Sequence, residues 1–315
     1  MRLKNNYLIV ISKTTFIILI YFMFANFSEV RMQTNLVEEE NDFKIYVGTY
    51  YNLIIPKKTG PQLEFDVINF GKLLLKVNFI SEYFGPTDYL SSLKYLGGKG
   101  YSFERLNWNV FGSSETNKTF VNKTRTNLER NTTISFSYQV FNYNTSINNL
   151  NITALKNTYI EMRIINWTYS ANARGIAINV ESLLEEPEEY QRLGPYINIE
   201  NYQFNAEIRG KNYNFKLIYN SIIDAITRDG EKEQLFINSF ANYNIAYLEK
   251  NKPLDFWISI PFEENLEQII ISFTTSFIPL SNDAGINSIS ILLGSITFLF
   301  ISFRIISKKR RKSEQ

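Results

Sequence analysis

From Phe43 onward the chain alternates. Ile134, Phe136, Tyr138 and Val140 are separated by Ser135, Ser137 and Gln139; Tyr202, Phe204, Ala206 and Ile208 by Gln203, Asn205 and Glu207. Ile160, Met162 and Ile164 interleave with Glu161 and Arg163, and Phe215, Leu217 and Tyr219 with Lys216 and Ile218. Period-two alternation marks strands with one face buried, as antiparallel sheets require. Comparable runs at Phe43 to Val47, Leu63 to Phe70, Leu73 to Ile80, Phe103 to Phe111, Ile176 to Val180, Phe256 to Ile260 and Ile269 to Phe273 extend the pattern. Gly60-Pro61, Gly85-Pro86, Gly97-Gly98, Gly194-Pro195 and Asp229-Gly230 are read as turns between strands. Helical windows are short, at Thr87 to Tyr95 and Leu183 to Tyr190, with Ser239 to Lys250 ambiguous. The pattern predicts an all-β chain, an antiparallel β-sandwich.

The two ends follow a different rule. Arg2, Lys4 and Lys13 precede an unbroken apolar run from Phe16 to Ala25, which makes residues 1–27 a secretory signal peptide or a retained signal anchor. Ile286 to Phe303 holds no charged residue, and Arg304 can snorkel to an interface, so 286–306 is expected to be a transmembrane helix. Lys308, Lys309, Arg310, Arg311 and Lys312 then set topology: a basic cytoplasmic tail at 307–315. These readings place the chain in a cell membrane, single-pass or two-pass, with a β-rich ectodomain at 43–280 outside. Residues 28–42, ending in Glu38, Glu39, Glu40, Asn41 and Asp42, are read as an acidic, solvated linker.

Charge changes meaning once it is divided this way. The whole chain has 33 basic and 31 acidic residues, but most of the basic excess lies in the two flanks, leaving an acidic exterior. The basic run therefore signals orientation and contact with the lipid bilayer, and no nucleic-acid partner is expected.

Seven Asn-x-Ser/Thr sequons occur: Asn26, then Asn117, Asn122, Asn131, Asn144, Asn151 and Asn166. Residues 117–168 contain 11 Asn and 12 Ser or Thr, enough for about two or three sequons by chance, and six are present. They are the candidate N-glycosylation sites. The Asn- and Thr-rich stretch at 113–131 marks either a boundary between two sandwiches or a glycosylated loop of a single supersandwich.

With no cysteine and no histidine, the chain cannot build a disulfide, a thiolate or imidazole catalyst, or a Cys/His zinc site. A cysteine-free, Asn- and Ile-rich exported chain suits a prokaryotic surface, and its sequons an archaeal one. No cofactor, metal or catalytic residue is assigned. The acidic groups at Glu38 to Asp42, at Glu185, Glu186, Glu188 and Glu189, and at Glu263 and Glu264 read as solvated faces. Asp224, Asp229 and Glu231 offer oxygen ligands without the spacing of a calcium loop. Trp108, Trp167 and Trp257, with Tyr50, Tyr51, Tyr101, Tyr143, Tyr169, Tyr213 and Tyr219, are read chiefly as core, with sugar stacking as the functional alternative; Trp167, inside the Asn166 sequon, is expected near the surface.

The expected function is a membrane-anchored cell-surface glycoprotein with a non-enzymatic binding, adhesive or envelope-structural role, its partners glycans or other surface proteins. The alternatives are a carboxylate-dependent glycan hydrolase and an accessory subunit contacting another span through Gly294 and Ser295.

Overall fold

The computed structural model describes residues 34–47, 51–67, 71–128, 131–185, 190–210, 213–241, 248–249 and 252–279. Both predicted apolar spans, the basic tail and the Asn26 sequon lie outside them. Among the described residues no helix is long and apolar enough to cross a membrane.

The architecture is all-β, with two large antiparallel sheets packed face to face. The first sheet begins as a meander of β1 (Asn35–Glu38), β2 (Asp42–Tyr46), β3 (Tyr51–Pro56), β4 (Gln62–Val67) and β5 (Gly71–Tyr83). β6 (Leu96–Ser102) also pairs with β5. The second sheet opens with the edge hairpin β7 (Asn109–Ser114) and β8 (Lys118–Leu128), followed by β9 (Thr132–Phe141). A small hairpin, β10 (Thr145–Ile147) and β11 (Leu150–Ile152), precedes β12 (Asn157–Ile165), which pairs with β9.

The chain then returns to the first sheet as β13 (Gly175–Glu185), alongside β5. β14 (Tyr190–Asn198), β15 (Gln203–Arg209) and β16 (Tyr213–Asn220) build the other half of the second sheet, and β17 (Ile222–Thr227) with β18 (Lys232–Phe236) extends it. β19 (Asn238–Phe240) belongs to the first sheet, β20 (Leu248–Glu249) to the second, and β21 (Leu254–Pro261) lies between β13 and β19. The last strand, β22 (Leu266–Pro279), joins the halves of the second sheet by pairing with β12 on one side and with β16 and β17 on the other.

One hydrophobic core fills the space between the sheets. Phe65 of β4 lies 5.7 Å from Phe215 of β16 and 5.2 Å from Phe277 of β22, while Tyr219 stacks on Phe256 across the layers at 5.8 Å. The Tyr51 hydroxyl lies 3.1 Å from the Thr158 hydroxyl of the opposite sheet, so even this buried phenol has a partner. The continuous core favours one supersandwich over two sandwiches: the Asn/Thr-rich stretch at 113–131 includes much of the β7–β8 hairpin.

Several local expectations change. The acidic segment read as linker contains β1, because Leu36 and Val37 pair with Ile45 and Lys44 of β2. Phe103 to Phe111 is no continuous strand: Phe103–Arg105 forms a 3₁₀ turn, and β7 starts at Asn109. Gly97-Gly98 and Gly194-Pro195 fall inside β6 and β14, beside register shifts, where an unpaired residue bends a strand. Thr87 to Tyr95 contains one 3₁₀ turn, Leu93–Tyr95, and Leu183 to Glu185 continue β13. Asp229-Gly230 does turn the β17–β18 hairpin, with Gly230 at φ +89°.

Candidate functional site

Five of the six described sequon asparagines are exposed: Asn117, Asn131, Asn144, Asn151 and Asn166; Asn122 is half-buried on the outer face of β8. All six belong to the β7–β8–β9–β12 half of the second sheet or to the β10–β11 hairpin resting on it. Asn117, Asn144 and Asn151 gather near the β8–β9 end at which Asn142 bonds the Asn117 carbonyl, whereas Asn131 and Asn166 meet at the opposite end through Thr132. Asn131 and Asn166 hold left-handed φ values of 62° and 56°, a conformation asparagine tolerates better than most residues. Alternation in β11 turns Leu150 and Ile152 onto Phe141 and Tyr159 and leaves Asn151 pointing to solvent. By contrast, the buried asparagines among the described residues, Asn157, Asn179 and Asn214, all lie outside sequons.

Two neighbours of the sequons behave differently. Trp167 is buried, edge-on to Tyr101 at 5.8 Å with Lys99 Nζ 4.6 Å from its ring centre, so the chain plunges inward directly after exposed Asn166. Thr119, the hydroxyl residue of the Asn117 sequon, is buried and lies 2.5 Å from the Thr34 hydroxyl and 2.9 Å from that of Ser114.

A second feature lies on the outer face of the first sheet. Glu181 of β13 and Asp255 of β21 occupy directly opposite positions, two residues along the ladder from the Asn179–Trp257 pair. Side chains so placed are near neighbours, and like charges there repel. Each carboxylate accepts from an amide: Asn78 donates to Glu181 at 2.7 Å and Asn179 donates to Asp255 at 2.5 Å. Asn78 is the extra residue at the β5–β13 register shift, and the bulge turns its amide toward this group. Trp257 lies edge-on to Phe79 at 6.3 Å beside them. This pair escaped the sequence because its members come from distant strands; only the shared outward parity of β13 and β21 signals it.

The third feature is a cleft of about 220 Å³ on the outer face of the second sheet. β16 and β17 run along β22 with a break at Ser221, where β15 flanks the first segment and β18 the second. The cleft opens over that break, under the 148–149 and 199–202 turns, and is lined by amides and one carboxylate, Asp224.

Two of the acidic clusters in sequence remain surface features, and of the third Glu186, Glu188 and Glu189 lie outside the described residues. Glu38 pairs with Lys57 and Glu39 with Lys44, both at 2.8 Å, and Glu263 and Glu264 are exposed in the β21–β22 turn. Asp224 is separated from Asp229 and Glu231, which cap the β17–β18 turn, and the described residues contain no cluster of three acidic side chains suited to a metal. Among the aromatic residues, Tyr51 and Tyr219 are fully buried, while Trp108 packs against Phe103 and Phe136. Tyr143 is exposed, and Tyr50 and the Tyr213 side chain lie outside the described residues.

No protein-family model matches the chain, and no curated protein matches its sequence. Among solved structures it is similar to galactose 1-epimerase from Lactobacillus acidophilus NCFM, at 10% identity and a TM-score of 0.39, covering 78% of this chain and 99% of that one. It is also similar to a protein of Synechocystis sp. PCC 6803, at 11% identity and a TM-score of 0.34, over 77% and 95% of the two chains. Neither likeness assigns a residue role or an activity to this chain.

Proposed function

We propose that the chain is a membrane-anchored cell-surface glycoprotein whose sandwich ectodomain binds or adheres without catalysing a reaction. The observation that carries this reading is the distribution of the sequons. Five of the six described sequon asparagines are exposed, against 10 of the 19 other asparagines whose burial is described, and all six gather on one half of one sheet. Glycans on that half would keep it hydrated and leave the first sheet's outer face for contact. The apolar ends supply export and anchorage, with the basic tail inside. The partners are the bilayer and glycans or proteins of the surface.

Fractionation of cells that make the full chain tests the anchor. The chain is expected to stay with membranes through alkaline carbonate washing, and external protease is expected to remove the sandwich while sparing the basic tail. Recovery in the soluble fraction, or a tail cut from outside, overturns the topology.

One observation favours a second reading, an extracytoplasmic glycan hydrolase: Glu181 and Asp255 are a carboxylate pair on one face. Hydrolysis asks for two carboxyl groups roughly 5 to 10 Å apart on either side of the scissile bond. This pair instead stands side by side on a sheet, with Asp255 exposed. Release of reducing sugar by the wild type that Asp255→Asn and Glu181→Gln both abolish would support hydrolysis.

A further inference from the structure

We propose that the cleft over the β16–β17 break is a binding site for a single ring of a neutral saccharide. The inference concerns the cleft alone and needs neither the anchor nor the glycans.

Hydrogen bonds within the fold fix the turn that walls the cleft. Asn148 donates to the Ser272 hydroxyl at 3.0 Å and the Tyr159 hydroxyl at 3.4 Å, and those hydroxyls lie 2.8 Å apart. Asn220 donates to the Asn148 carbonyl, and Gln203 donates to the Asn149 carbonyl at 2.9 Å. These bonds hold the 148–149 turn in its left-handed conformation, with φ 50° and 61°. A wall fixed in advance spares a ligand the cost of ordering it.

The groups left over are the informative ones. Half-buried Asp224 and the exposed amides of Asn149 and Gln234 line the cleft without a hydrogen bond from their side chains to any described residue. Asp224 and Gln234 face each other across the β17–β18 ladder, so an acceptor-only carboxylate stands beside an amide that both donates and accepts. Adjacent sugar hydroxyls, each donor and acceptor, match that set. Tyr202, 57% exposed with φ 53°, presents a ring at the rim, and half-buried Ile222 and Ile270 supply apolar floor for sugar C–H groups.

Charge and size narrow the class. No Lys or Arg lines the cleft, so a phosphate or sugar acid would meet Asp224 uncompensated. A cation would find one carboxylate where calcium takes six to eight oxygens. At about 220 Å³, the cleft is smaller than the roughly 300 to 1,000 Å³ of drug-sized sites, and its open side lets the rest of a glycan leave.

The test uses the purified full chain and, as probes, glucose, galactose, mannose, N-acetylglucosamine and their β1,4-linked disaccharides, with glucuronate and glucose 6-phosphate for comparison. Binding is read by saturation-transfer NMR and calorimetry. At least one neutral probe is expected to saturate the protein, and both charged probes to bind about tenfold more weakly. Asp224→Asn and Tyr202→Ala are each expected to weaken binding about tenfold while leaving the melting temperature within about 2 °C. No saturable binding of any neutral probe up to about 10 mM overturns the proposal. So does binding that both variants leave intact, or tighter binding of the charged probes. None of these outcomes bears on membrane fractionation, so failure of this site and failure of the surface-protein reading are separable.

Discussion

Lys123, on β8 of the second sheet, donates from Nζ to the Gly60 carbonyl of the first sheet's β3–β4 loop at 2.9 Å, and to the Thr59 carbonyl at 3.2 Å. Its side chain is fully buried. Burial, only weakly opposed by the charge of Asp42, pushes the ammonium down to about 7 from an ordinary 10.5. Between those values the unfolded chain binds a proton that the folded chain does not, so this lysine makes stability rise with pH, by at most about 1.4 kcal/mol per unit. Lys123→Met is expected to flatten that slope: relative to wild type, the variant is more stable at pH 6.5 than at pH 9.5 in denaturant titrations. Parallel stability profiles for the two proteins would exclude this role.

At Glu207 the fold favours the charged form, and stability again rises with pH. Burial on the outer face of β15 would raise its carboxyl, but hydrogen bonds from Tyr196, Asn214 and Lys216 outweigh that and hold it at about 2. Its contribution is therefore complete above about 4.5 and lost as pH falls toward 2. Glu207→Gln is expected to cost roughly 2 kcal/mol at pH 7, and the deficit should shrink below pH 3. Thermal unfolding across that range checks it; a deficit independent of pH argues against an ionised Glu207.

Two glycines separate crowding from torsion. A Cβ on Gly175 would stand 2.2 Å from the Ile260 carbonyl and 2.8 Å from the Tyr83 ring, wedging β13 away from β21. One on Gly230 meets nothing within 4 Å, but the residue holds φ +89°. Gly175→Ala should cost about 3 kcal/mol and Gly230→Ala about 1 kcal/mol. Equal losses on chemical unfolding would contradict the wedge.

Sequon occupancy can be separated from folding at Asn117. Asn117→Gln removes only an exposed amide, whereas Thr119→Ala also deletes a buried hydroxyl held by Thr34 and Ser114. Both should remove one glycan. Only Thr119→Ala is expected to lower stability, by roughly 1 to 2 kcal/mol, as differential scanning fluorimetry would show.

Alternation was sufficient to read β9, β15 and β16, since their inward positions, buried Thr132 at the start of β9 apart, are apolar and a shift by one residue would expose them. It failed on β8 because Lys123 and Thr119 occupy inward positions, breaking the apolar period while being satisfied by partners far along the chain. Glycine pairs misled for a related reason: a turn and a bulge use the same residues, and only pairing distinguishes Gly97-Gly98 within a strand from Asp229-Gly230 between two. The sequons were legible because their chemistry is local. The cleft was not, since Asn149, Asp224 and Gln234 converge only where β16 gives way to β17.

The central claim, an exported glycoprotein anchored by its ends, is tested most directly by the intact mass of the chain isolated from the membranes of its own cells, before and after deglycosylation. The account predicts a mass above that of the polypeptide, falling in glycan-sized steps, with the modified sites among Asn117, Asn122, Asn131, Asn144, Asn151 and Asn166. A chain whose mass is that of the bare polypeptide and does not change on treatment would contradict it.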